Sequence, residues 1–149
     1  MADGNDVLIA LWEDQREAER QTANQRATLT NIIILVVAAG LGFIANTGLQ
    51  TSMLVVTLSM SALGFYGVLA CLTFYERCEF HVGQAEGLRK KIAKQFPALD
   101  IEAGLAETCC AHHASFRPRR TIRKHVLWVL LHAAIAVAGA ALSGWIIFS

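Results

Sequence analysis

At 149 residues with 54% hydrophobic and only 17% charged residues, the chain is too apolar for an ordinary soluble domain. Its 13 Lys and Arg against 12 Asp and Glu leave a net charge of +1, which removes any overall electrostatic case for nucleic acid or an acidic partner. Every formal charge lies in 1–26 or 76–124, leaving 49 uncharged residues from Ala27 to Tyr75 and a second uncharged run from His125 to Ser149. That segregation predicts an integral membrane protein.

The first element expected in chain order is an N-terminal helix within 1–28. Residues 5–27 lack Pro and Gly and are rich in Ala, Glu, Gln and Arg, all good helix formers. Asn5 or Asp6 can cap it, and Glu13, Arg16, Glu17 and Arg20 stand at supporting ion-pair spacings. Val7, Leu8, Leu11 and Trp12 form an apolar stripe of two turns. About 26 largely polar residues precede the first apolar run, so no cleavable signal peptide is expected.

The uncharged run would be about 73 Å long as one helix, more than twice the ~30 Å of a bilayer core. It must fold back, and Asn46-Thr47-Gly48-Leu49-Gln50-Thr51 carries the turn signals. The expected spans are 29–45 and 52–75, with a third within 125–149 from about Val126 to Phe148. Beyond Tyr75, the apolar positions Cys78, Val82, Ala85, Leu88 and Phe96 continue at helical spacing until Pro97, which ends the pattern. A short helix capped by Asp100 and running to about Cys110 is expected next, then a basic connector through Pro118. The expected fold class is an all-α membrane protein. Spans 1 and 2 make a long antiparallel hairpin extended into the cytoplasm, and a third transmembrane helix follows.

Orientation follows from the bases. Arg16, Arg20 and Arg26 precede span 1, Arg77 follows span 2, and Arg117, Arg119, Arg120, Arg123 and Lys124 precede span 3. The opposite side carries no Lys or Arg, so the N-terminus and 76–124 are expected in the cytoplasm and the C-terminus in the periplasm. The same five bases before span 3 are candidates for binding a cytoplasmic partner or anionic lipid.

Small residues crowd the spans. Gly40, Gly42, Gly67, Ala136, Ala140 and Gly144 are the helix-packing candidates, with Gly139 and Ser143 beside the last group. Such faces let helix backbones approach in lipid. They serve packing within one chain or assembly of a homo-oligomer, and the residues alone leave both open. Gln50, Thr57, Ser61 and Gly64 form a weak polar stripe on span 2, a candidate lining for an uncharged pore. The competing reading is that Thr and Ser bond their own helix carbonyls. No ionisable group is expected within any span, which argues against a proton relay, a voltage sensor or a coupled transporter.

Cys78, His81, Cys109, Cys110, His112 and His113 are residue types that bind zinc. Their spacing matches no finger pattern, so no metal and no cofactor is expected. Arg120 and His125 fit the R-x4-H pattern of HEPN ribonucleases, a short pattern that a basic stretch also produces by topology alone. No catalytic site is assigned, and no nucleic-acid partner is expected.

A polar helix bearing Trp and Glu/Arg repeats leads into a two-span hairpin that exits through Tyr75-Glu76-Arg77 into a basic helix. Over roughly residues 5–96 this architecture resembles the small bacterial membrane effectors of the SLATT type. The resemblance implies a non-enzymatic antiviral-defence effector that self-associates in the inner membrane and permeabilises it when triggered through its cytoplasmic segment. The alternatives are a membrane anchor or scaffold subunit that recruits a soluble protein, and a membrane-tethered HEPN-like ribonuclease.

Overall fold

The computed structural model describes residues 4–115 and 124–149, and all of the described elements are helical. Helix α1 spans Gly4–Thr47, a 3-10 turn follows at Thr51–Met53, and α2 spans Leu54–Gln95. A second 3-10 turn at Pro97–Leu99 leads to α3, Ile101–Ser115, and α4 spans Lys124–Phe148. Three of these helices, α1, α2 and α4, contain stretches long and apolar enough to cross a membrane.

The helix ends obey local chemistry. Gly48 adopts φ 80° and donates its N–H to the Ile44 carbonyl at 2.8 Å, closing α1 in the left-handed conformation that glycine adopts without penalty. Pro97 cannot donate to a continuing helix, and α2 stops two residues before it. Asp100 is the one described non-glycine residue with positive φ, at 43°. Its carbonyl accepts the Gly104 N–H at 3.2 Å and so opens α3. That helix runs to Ser115, a turn beyond the expected end near Cys110, because no Pro or Gly interrupts it there.

The chain divides into two compact units. One comprises 1–23 with 76–123, and the other comprises 24–75 with 124–149. In the second unit, Ile33, Val37, Ile44, Met53 and Met60 form the core, with Leu29, Val56, Leu63, Ile135 and Ile146 packed on it. The buried positions there are Met53 of the 3-10 turn and Thr57, Met60, Gly64, Gly67 and Cys71 of α2, alternating by four and three. That is the seam spacing of closely packed helices. Much of the outside is apolar: Leu35 is 70% exposed and Val55 73%.

In the first unit, Ala85 is the buried apolar residue of α2. Around it, Cys78 Sγ lies 3.9 Å from the Glu19 carbonyl, and His81 Nδ1 lies 2.9 Å from Gln15 Oε1. Surface ion pairs join Arg16 to Glu19, Arg20 to Glu17 at 2.7 Å, and Lys90 to Glu86 at 3.1 Å. Arg89 reaches across to Glu102 of α3 at 3.3 Å.

Candidate functional site

The polar side chains of the apolar unit gather where α2 meets α4. Thr57 Oγ1 and Ser143 Oγ are 2.8 Å apart, and Ser143 Oγ is also 2.9 Å from the Gly139 carbonyl. Two turns along, counted on α4, Ser61 Oγ donates to the Ala136 carbonyl at 2.8 Å. These contacts need backbones in near touch, and glycines provide it. A Cβ on Gly64 would stand 2.7 Å from Ala136 Cα, and one on Gly139 would stand 2.6 Å from the Ser61 nitrogen. Real Cβ atoms do not approach backbone so closely, so neither position accepts a side chain without separating the helices.

His132 sits at the end of this seam and is 0% exposed. Its Nδ1 lies 2.8 Å from the Trp128 carbonyl, one turn back on α4. A carbonyl only accepts, so Nδ1 is the donor in this contact. Nε2 is buried without a hydrogen-bond partner. The ring lies over Gly67, where a Cβ would be 2.6 Å from His132 Cγ and 2.8 Å from Nε2. Cys71 Sγ is 3.7 Å from Nδ1. On α1, Thr30 is buried with an unpartnered Oγ1, and one turn earlier the Arg26 guanidinium lies 5.4 Å from the Trp128 ring centre.

His132 corrects an expectation. The expectation is of no ionisable residue in the three apolar stretches, whereas His132, an ionisable residue type, lies fully buried within α4. A fully buried histidine in so apolar a helix is a candidate for function. What it provides is a locking contact: a flat ring held by one carbonyl and seated on a glycine.

The other sequence candidates separate into groups. Thr57, Ser61 and Gly64, expected to line a pore, face α4 inside the chain, while Gln50 is exposed and donates to the Thr47 carbonyl at 3.0 Å. Within one chain the stripe is therefore closed, because α4 supplies partners for its hydroxyls. Of the packing candidates, Gly40 abuts Val56, with a Cβ falling 3.1 Å from its side chain; Gly67 meets His132; and Ala136 meets Gly64. Gly42 and Gly144 have nothing within 4 Å of a Cβ position, and Ala140 is exposed. On α4 the packed residues are thus His132, Ala136, Gly139 and Ser143, with Ala140 and Gly144 to one side of that face.

Of the zinc-type residues, Cys78 and His81 pack against α1, while Cys109 lies 3.7 Å from His113 on α3. Among the described residues no group of three or more Cys, His, Asp or Glu is placed to hold a metal ion. Arg117, Arg119, Arg120 and Arg123 lie outside the described residues, and Lys124 begins α4. The Arg120 and His125 pairing thus has no described geometry. His125 itself stacks on Tyr75 with ring centres 4.0 Å apart.

No protein-family model, curated protein or solved structure matches the chain.

Proposed function

We propose that this chain is a self-associating protein of the bacterial inner membrane that permeabilises the bilayer when its cytoplasmic segment is engaged. In this reading α1 and α2 form an antiparallel hairpin, α4 is the third span, and the bases place 1–28 and 76–124 in the cytoplasm. The observation that carries it is the uncovered state of Gly42 and Gly144, each open within 4 Å, together with exposed Ala140. Ala38 and Gly42 on α1, and Ala140 and Gly144 on α4, stand four residues apart on their helices. Such pairs let backbones of neighbouring copies approach in lipid, where packing and not hydrophobicity drives association. Gly40, Gly64, Gly67 and Gly139 are already used inside the chain, so they do not compete for that role.

Permeabilisation requires α4 to withdraw from α2. That movement would bare Gly64, Ser61, Thr57, Ser143 and His132 as one polar stripe, available to line an assembled path. Replacing Gly42 by Leu should lower the oligomeric state in mild detergent and reduce depolarisation on induced expression, read with a membrane-potential dye. An unchanged oligomer in both Gly42→Leu and Gly144→Leu defeats the assembly reading.

A second reading is an anchor or scaffold that recruits a soluble protein. It is favoured by a groove in the first unit lined by Trp12, Val82, Ala85 and Leu105 with Arg16, Glu86 and Arg89 at its edges. An intact oligomer that never depolarises the membrane, with its cytoplasmic partner present, selects this reading.

A further inference from the structure

Helix α3 presents a pair of ligands that the first unit leaves uncovered. None of its residues is buried, and Cys109 and His113 are both exposed. They stand four apart, on one face with Leu105, so their side chains converge by helix geometry alone. Cys109 Sγ lies 3.7 Å from His113 Nδ1 and 4.0 Å from Nε2. A tetrahedral zinc ion with Zn–S of about 2.3 Å and Zn–N of about 2.05 Å holds its sulfur and nitrogen about 3.6 Å apart. The pair therefore already has the separation of two ligands on one tetrahedral ion.

One chain supplies only half of such a site. No third Cys, His, Asp or Glu among the described residues joins the pair, and a structural zinc takes four ligands. A second copy of the same helix provides the missing sulfur and nitrogen through a two-fold contact, in which each face meets its own equivalent. Leu105, 43% exposed and one turn before Cys109, would pack beside the ion in that contact.

We propose that Cys109 and His113 form a zinc half-site, completed by the same two residues of a second copy to give a Cys2His2 ion bridging two α3 helices. Each Cys109 thiol loses its proton to solvent on binding, and each His113 binds as neutral imidazole, so affinity falls as pH is lowered. No electron is transferred. The second copy rests on the self-association proposed above, but the metal contact is separate from the lipid-facing glycines.

The test uses the full chain in detergent, metal-stripped and reduced, titrated with Co2+ as a spectroscopic probe and then with Zn2+. The expected result is a tetrahedral Co2+ spectrum with a sulfur charge-transfer band, saturating at one ion per two chains and displaced by Zn2+. Cys109→Ser and His113→Ala should each abolish it, while Cys110→Ser, His112→Ala and Cys78→Ser should keep it. Saturation at one ion per chain, a signal that survives Cys109→Ser, or no tetrahedral signal at all overturns the proposal. The two ideas fail separately. An oligomer that persists without metal and gives no Co2+ signal removes the zinc site alone. A metal-bridged dimer that falls to monomer on chelation, with Gly42→Leu silent, removes the lipid-facing assembly alone.

Discussion

The two units of this molecule solve opposite problems. In 24–75 with 124–149, polar groups are turned inward: Thr30, Thr57, His132 and Ser143 are buried, while Leu35, Val55 and Val137 are exposed. In 1–23 with 76–123, the ion pairs lie outside, and the buried residues among those described are Ala85 of α2 and Thr22 of α1, whose hydroxyl donates to its own helix at the Ala18 carbonyl. Such inward-turned polar groups suit apolar surroundings, where a hydroxyl facing hydrocarbon lacks any partner. The contrast therefore says more about solvent than about fold. In lipid, greasy contacts would be interchangeable with the solvent, and the hydrogen bonds and glycine contacts of the apolar unit would define the partners.

Matched substitutions give the sharpest test of that contrast. Gly67→Leu drives a side chain into the His132 ring, and we expect a loss of about 3 kcal/mol in reversible unfolding in mixed detergent micelles, at the upper end of overpacking costs. Gly83→Leu, on the same helix but with open space around it, should leave stability unchanged or raise it by up to about 1 kcal/mol through helix propensity. Equal losses at the two positions would break the comparison.

A smaller effect is expected at His132 itself. His132→Leu is of similar bulk and removes the unpartnered Nε2 together with the Trp128 contact, so stability should change by under about 1.5 kcal/mol. Stability kept with depolarisation lost would assign the ring a functional part beyond packing. A loss as large as that of Gly67→Leu would make it chiefly a structural wedge.

Across the Thr57 and Ser143 contact, a double-mutant cycle with Thr57→Val and Ser143→Ala should return a coupling of about 0.6 kcal/mol, as interhelical bonds in lipid do. Zero coupling would mean the hydroxyls serve only their own helices. The smallest change belongs to the other unit. Arg20→Ala removes an exposed pair with Glu17 and should cost a few tenths of a kcal/mol at low salt and nothing measurable at high salt, read as a shift in thermal midpoint.

Much of the fold was legible because its signals are local. The turn at Gly48, the stop before Pro97 and the three apolar stretches each depend on a few adjacent residues, and all appear where the pattern put them. The site was less legible. Small residues were visible on every span, yet which of them pack was not: Ala140 and Gly144 look as suitable as Gly139 and Ser143 but point elsewhere. A helix that is apolar on all sides has no amphipathic face to set its rotation, so sequence periodicity loses its usual power. His132 escapes a pattern of formal charge because histidine adds nothing to it.

The sequence by itself determined the chemical partition of this protein: where charge stops, where chains turn, and which stretches suit lipid. Only the tertiary structure decided which face of each apolar helix meets a neighbour. It closed the Thr57 and Ser61 stripe against α4, seated His132 on Gly67, and left Gly42 and Gly144 open. The physical reason is that burial in lipid is nearly indifferent to rotation about a helix axis, whereas close backbone contact and buried hydrogen bonds are not.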